Sequence, residues 1–305
     1  MPRLFLNFCL VLLLAGTGSA AMAQELEPRR WSHLPDGGHF LGGGLVVTEG
    51  DIVFDPVLRV EDVEVDMDTW ALKYIYSFEL FNKSARISLL HGHQNGVWSG
   101  LLDGVPTKIQ RVGLTDSVIR FAINLMGAPP LSGPEYQTYR SAQANETIVG
   151  LGVAVQLPTG EYLDDKLINL GTNRYTFRPQ LGLVHSRGDW SYEVTGAVWL
   201  YSDNDDFFGG NNLEQDPFFF LQGHVIRSLQ PGRWAGLSVG YGIGGETTIN
   251  GLEKDDRKKN LAWAISYGFA LSPTTALKLA YAGTRTKTST GLDSGSLAIL
   301  LSASW

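Results

Sequence analysis

The chain has 305 residues, of which 44% are hydrophobic and 18% charged, with 36 glycines, 13 prolines and a net charge of −7. The acidic balance excludes a nucleic-acid binder. The lack of a second long apolar run excludes a helical membrane protein, and the lack of a three-residue glycine period excludes a collagen-like chain. A glycine-rich, aromatic-rich, β-type chain remains.

The N-terminus reads as an export signal. Met1 to Arg3 is a short basic start, Leu4 to Ala15 is apolar apart from Asn7, and Ala21-Met22-Ala23 supplies an A-x-A cleavage site. The expected organisation is a signal peptide over 1–23, a short periplasmic segment over 24–39, and one barrel over 40–305. No plug domain is expected before residue 40. The single cysteine, Cys9, lies in the apolar run, so the mature chain offers neither a disulfide nor a thiolate.

From residue 40 apolar residues alternate with small or polar ones. Period two sorts side chains onto two unlike faces, which marks strands. The alternation predicts twelve: 40–54, 69–78, 84–93, 111–125, 147–156, 174–186, 190–201, 214–228, 233–244, 258–271, 276–286 and 295–305. In the second, Trp70, Leu72, Tyr74, Tyr76 and Phe78 oppose Ala71, Lys73, Ile75 and Ser77. In the tenth, Leu261, Trp263, Ile265, Tyr267 and Phe269 oppose Asn260, Ala262, Ala264, Ser266 and Gly268. The last strand places Leu297, Ile299, Leu301, Ala303 and Trp305 on one face.

Connection lengths also alternate. Short turns are expected at 79–83, 187–189, 229–232 and 272–275. Long polar connections are expected near 55–68, 94–110, 157–173, 202–213, 245–257 and 287–294. Short periplasmic turns facing long extracellular loops characterise outer-membrane barrels. The stretch 126–146, with Pro129, Pro130 and Pro134, falls where a short turn belongs and is too long for one.

A soluble β-sandwich would alternate as well. Three features favour the barrel: aromatics near strand ends on the apolar face (Trp70, Phe78, Trp190, Trp263, Phe269, Trp305), a small or polar opposite face, and the terminal aromatic Trp305. The expected fold is all-β, an antiparallel transmembrane outer-membrane β-barrel of about 12 strands. It is expected to be a monomer against outer-membrane lipid and lipopolysaccharide, with its last strand, ending at Trp305, read by the outer-membrane assembly machinery.

From Pro158 the chain reads PTGEYLDDKLINLGTNRYTFRPQLGL. WSYEVTGAVWLYSDNDDFFGG follows from Trp190, and EQDP at Glu214–Pro217. These segments, NLGTNR and DNDDFFGG above all, resemble the outer-membrane family called "Putative MetA-pathway of phenol degradation", whose members are commonly labelled transporters. The resemblance implies an outer-membrane β-barrel that passes aromatic or other hydrophobic compounds. It implies no catalytic residues.

With the apolar face outward, the candidate lumen-lining residues are Lys73, Arg86, Arg120, Arg178, Gln180, Glu193, Gln222, His224 and Lys278, joined by Asn124 and Gln156. The charged ones are mostly basic, although the chain is acidic. They read either as a pore lining that concentrates anions or as an internal network, Glu193 with Arg178, filling a closed barrel. A small-residue wall at Gly236, Ser238, Gly240, Gly242, Ala262, Ala264, Ser266 and Gly268 leaves a substrate path, or accommodates large side chains or an inserted segment.

Other motifs carry less. Asp203, Asp205 and Glu214 match three EF-hand positions, but Phe207 and Phe208 stand where a ligand and a glycine are needed. A solvated turn is expected there, with Phe207-Phe208 folded inward or against lipopolysaccharide. His91 and His93 share a face without a third metal ligand. Neither G-x-S-x-G nor H-E-x-x-H occurs, and His91, His93, Ser99, Asp103 and Asp116 meet at the rim only by the chance of loop composition. No catalytic, metal or cofactor site is assigned. The expected role is passive uptake of small hydrophobic or aromatic compounds. The alternative is a non-transporting structural or partner-binding barrel, and an outer-membrane hydrolase comes third.

Overall fold

The computed structural model describes residues 26–53, 60–102, 104–288 and 291–305. The expected signal peptide lies outside the described residues. The strands are β1 (His39–Val53), β2 (Val60–Leu80), β3 (Lys83–Leu102), β4 (Val105–Leu114), β5 (Ser117–Met126), β6 (Asn145–Leu157), β7 (Thr176–Arg187), β8 (Trp190–Tyr201), β9 (Asn204–Phe207), β10 (Asn211–Gln215), β11 (Phe218–Gln230), β12 (Arg233–Gly244), β13 (Thr247–Ile249), β14 (Leu252–Glu253), β15 (Lys258–Ala270), β16 (Thr275–Thr286) and β17 (Gly291–Ser304). One helix, α1 (Gly133–Ala142), lies between β5 and β6.

Thirteen strands form one antiparallel sheet that closes on itself through β2 and β3. β4 and β5 share one place in the wall. β4 pairs with residues 93–102 of β3, and β5 with 85–90. The barrel therefore has twelve staves, as the alternation predicts. Closure leaves no free sheet edge in the hydrocarbon, which is why a sheet can span a bilayer.

The facing of the wall follows period two. In β15, Asn260, Ala262, Ala264 and Ser266 are buried inside, while Trp263 and Ile265 are exposed on the outer surface. Trp70, Trp190, Trp263 and Trp305 all stand on the outside, where interfacial aromatics belong.

Two expected long connections are strand instead. β2 begins at Val60, and β3 and β4 pair from Leu102 with Val105 onward, so 94–102 and 105–110 are the arms of a hairpin. In this part of β2 the alternation is inverted: Val63, Val65 and Met67 are buried inside, while Asp62, Glu64, Asp66 and Asp68 face outward. A strand that continues beyond the hydrocarbon has an outer face in water, so its polarity pattern reads as loop.

The fourth predicted strand, 111–125, is broken at Thr115-Asp116. Beyond the break the strand that pairs with β4 is β3. The polypeptide at 161–168 covers its other edge: the Glu161 amide donates to the Leu114 carbonyl at 2.9 Å, and Arg111 Nε to the Ile168 carbonyl at 2.9 Å.

At the end bearing the short turns, Phe81 and Asn82 close a two-residue hairpin with both φ positive. The long stretch at 126–146 holds α1, with a proline in its first turn and none of its residues buried. Tyr139 and Arg140 bind the Glu146 carboxylate at 2.8 and 3.0 Å, which ties the helix to the base of β6.

At the opposite end, β9, β10, β13 and β14 form a second, four-stranded sheet. It buries Phe207, Ile249 and Leu167 together. Phe207 thus folds inward, and the acidic loop before it belongs to a cap over the barrel.

Candidate functional site

Residues 26–38, expected in the periplasm, run inside the barrel. Trp31 is fully enclosed. Its Nε1 donates to Thr195 Oγ1 at 2.9 Å, and the Arg120 guanidinium lies 4.6 Å from the ring centroid. The ring occupies a notch left by Gly150, Gly152 and Gly182. A Cβ at Gly150 or Gly182 would fall within the indole. The segment is also tied to the end bearing the short turns: Tyr136 of α1 donates to the His33 carbonyl at 3.0 Å, and the Asp36 amide to the Leu131 carbonyl at 2.7 Å.

Most of the candidate lumen residues gather around this segment. Lys73 donates to Glu27 at 2.6 Å. Arg86 donates to the carbonyls of Arg30 and Ser32 at 3.2 and 2.8 Å. Glu193 accepts the Arg29 amide at 2.8 Å. Arg120 Nε donates to Gln180 at 2.9 Å while its plane covers Trp31. Burial acts to raise the Glu27 carboxyl, but Lys73, Arg30 and Lys278 outweigh it and hold the group well below the ordinary carboxylate value. Lys73 and Arg86 thus meet an acidic residue and backbone carbonyls of the chain's own leading segment.

The remaining candidates lie elsewhere on the inner wall. Gln222 and His224 are buried, and His224 Nδ1 meets Ser238 Oγ at 2.7 Å. Arg178 lies 5.0 Å from the Trp199 ring centroid. It does not pair with Glu193: β7 places Arg178 beside Trp199, and Glu193 sits opposite Val184, six residues and about 20 Å further along the strand. The small-residue wall faces large side chains. Leu26, Phe218 and Phe220 pack against Ala262, Ala264 and Ala282, and a Cβ at Gly240 or Gly242 would meet Phe220 or Phe218.

Between this apolar cluster and the cap lies a chamber of about 380 Å³. Met67, Leu90, Trp199, Tyr201 and Phe218 line it, together with Arg174, Arg178 and Lys258. The cap is held over it by a buried carboxylate. Asp116, at the break between β4 and β5, accepts the Gly160 amide and the Thr172 amide, both at 2.9 Å, and the Thr172 hydroxyl at 2.6 Å. The two legs of the loop touch backbone to backbone at Gly160 and Gly171, where an added Cβ would come within 2.7 Å of the other glycine.

Sequence reasoning placed Asp116 in a rim cluster with His91, His93, Ser99 and Asp103. Asp103 lies outside the described residues. His91 Nδ1 meets Ser117 Oγ at 2.8 Å, and Thr159 donates to the same hydroxyl at 2.9 Å, while Asp116 turns to the loop. No group of three or more potential metal ligands occurs among the described residues. Trp31, Trp98, Asp116 and Leu167 are the site residues that reasoning from the sequence did not single out for the roles they hold.

A closed sheet of twelve antiparallel strands, apolar and aromatic outside, polar and filled inside, defines an outer-membrane β-barrel set in lipid and lipopolysaccharide. More narrowly, the chain belongs to the family "Putative MetA-pathway of phenol degradation", whose model matches residues 42–296. No curated protein matches the sequence. Among solved structures it is similar to the COG4313 outer membrane channel from Pseudomonas putida F1, at 20% identity and a TM-score of 0.77, over 92% of this chain and 100% of that one. It is also similar in fold to the translocator domain of the autotransporter NalP from Neisseria meningitidis, at 8% identity and a TM-score of 0.50, over 93% and 94% of the two chains. The transport unit of the autotransporter AIDA-I from Escherichia coli matches at 8% identity and a TM-score of 0.50, over 94% and 98%.

Proposed function

We infer that the protein is an outer-membrane channel for passive uptake of small hydrophobic or aromatic compounds. The chamber beneath the cap carries this reading. Its volume, about 380 Å³, and its mix of aromatic walls with a few cationic groups match a small-molecule site. Trp199 and Tyr201 line it with the Arg178 and Arg174 guanidinium groups over their rings, and Lys258 adds charge for a polar substituent. The family and the similar channel from Pseudomonas putida F1 support the same reading. The barrel works as a monomer, its terminal strand ending at Trp305 is the one the assembly machinery reads, and it carries out no catalysis.

The filled periplasmic half favours a second reading, a sealed barrel whose loops bind a partner. Uptake of toluene and benzoate into proteoliposomes decides between them. Saturable uptake of either supports the channel. Well-folded protein that passes neither solute supports the sealed barrel.

A further inference from the structure

A second hollow, about 310 Å³, lies at the extracellular rim between β3, β4 and the turn at 165–168. Val63, Trp98, Ile109, Leu167, Ile168 and Phe208 make its lining apolar. Charged neighbours are engaged elsewhere: Asp165 and Lys166 pair with each other in solvent at 2.6 Å, and Arg111 donates to the carbonyls of Ile168 and Gln110. A cavity that offers water no partners takes an apolar guest, and about 150 Å³ already admits benzene.

The hollow adjoins the inner chamber through two shared side chains, Trp98 and Leu167. Phe207 lines the chamber, and its neighbour Phe208 lines the hollow. The turn that carries Leu167 is closed on itself. The Asn169 side chain accepts the Leu163 amide at 2.8 Å and donates to the carbonyls of Leu163 and Lys166 at 3.0 and 2.9 Å. Asp116 pins the base of the same loop. Beyond these bonds the tip is held by Arg111 at the Ile168 carbonyl and by the Gly209 amide at the Asp164 carbonyl, so Leu167 is a packed side chain between hollow and chamber.

We propose that the rim hollow is an outer binding site for a small monocyclic aromatic hydrocarbon, and that Trp98 and Leu167 form the partition it crosses to enter the chamber. The proposal rests on the uptake function above. Trp98 and Phe208 give a ring edge and face contacts that an acyl chain does not use. The ion pair of Asp165 and Lys166 places the neighbouring surface in water rather than lipid.

The test uses 4-fluorotoluene with the full-length mature barrel in nanodiscs, read by fluorine NMR, and uptake by the same proteins in liposomes. The unaltered protein should bind saturably. Thr107→Trp, which fills the hollow from β4, should weaken binding about tenfold and slow uptake at low concentration. Thr107→Asp, which charges the same wall, should do likewise, so a folding failure of one variant leaves the other. Leu167→Ala, which thins the partition, should speed uptake. Folded Thr107 variants that bind and transport like the unaltered protein overturn the outer site and leave the uptake reading standing. Saturable binding that the Thr107 variants lose, with no uptake by any protein, overturns the crossing and the uptake reading and leaves the binding site. A retained lipid chain that 4-fluorotoluene does not displace overturns the proposal in favour of a lipid site.

Discussion

Asp116 and Thr172, 56 residues apart, are joined twice: the same carboxylate oxygen accepts the Thr172 amide at 2.9 Å and its hydroxyl at 2.6 Å. The side chain of Gln156 donates to that oxygen as well, at 2.9 Å. One buried charge therefore ends a strand, starts another and anchors the loop above both. Asp116→Ala strips several donors of their acceptor. Hydrogen bonds to charged groups are worth about 1.5–3 kcal/mol each and do not add, so a loss of about 3 kcal/mol in loop anchoring is expected. Trypsin should then cut after Lys166 much faster, while the heat-modifiable band shift of the barrel stays in place. Cleavage at the original rate would mean that the loop is held by other contacts.

Gly182→Ala adds one methyl group where the Trp31 ring sits. The backbone at Gly182 is ordinary strand, so the wall tolerates alanine and the indole does not. The variant should assemble as a barrel, lose the buried environment of Trp31, and conduct ions more strongly in planar bilayers. Unchanged conductance together with unchanged protection of Trp31 would place the ring elsewhere.

Acid should loosen the leading segment. Glu27 is depressed in the folded protein, so its stabilising contribution is full above the unfolded carboxylate value, about 4.3, and fades as pH falls through the folded value. The Glu27 contribution to conductance should appear as a rise below about pH 4. Glu27→Gln should show the raised conductance at neutral pH and lack the acid step. An acid step that persists in Glu27→Gln would assign it to another group.

Ile265 and Ser266 are neighbours in β15 on opposite faces, one exposed to lipid and one 1% exposed in the interior. Ile265→Arg should cost about 2–4 kcal/mol near the bilayer midplane. Because the lumen at this level is packed rather than hydrated, Ser266→Arg should destabilise at least as much. Reversible unfolding in lipid measures both. A mild Ser266→Arg would show water-filled space beside the Leu26 and Phe220 cluster.

Arg178 borders the chamber, whereas Lys73, Arg86 and Arg120 contact the leading segment. Arg178→Glu should lower uptake of benzoate relative to toluene and leave assembly intact, since a polar chamber tolerates a charge change better than a lipid face. An unaltered ratio would free selectivity from this arginine without touching the channel itself.

The facing of β15 was legible because backbone geometry sets period two and only one register places Trp263 and Ile265 together. The upper part of β2 was not, because Asp62, Glu64 and Asp66 face water and imitate a loop. The lumen socket was hidden for another reason: Gly150 and Gly182 read as weak strand positions until the ring that fills them is seen. Leu26, Trp31 and Leu34 did carry a signal, three large apolar side chains in a segment too short to form its own core. NLGTNR, the motif behind the family resemblance, proves to be architecture. Asn169 closes the turn, Gly171 touches Gly160, Thr172 meets Asp116, and Asn173 donates to Asn204 at 2.9 Å.

Trp31 and its partner Thr195 are separated by 164 residues, and its notch is shared between β6 and β7. The earliest-made stretch of the described chain therefore takes its seat only after strands from the middle of the chain have paired. Contacts of such sequence separation form late compared with neighbouring hairpins. The wall of β6 and β7 is therefore a precondition of the filled lumen, and not the reverse.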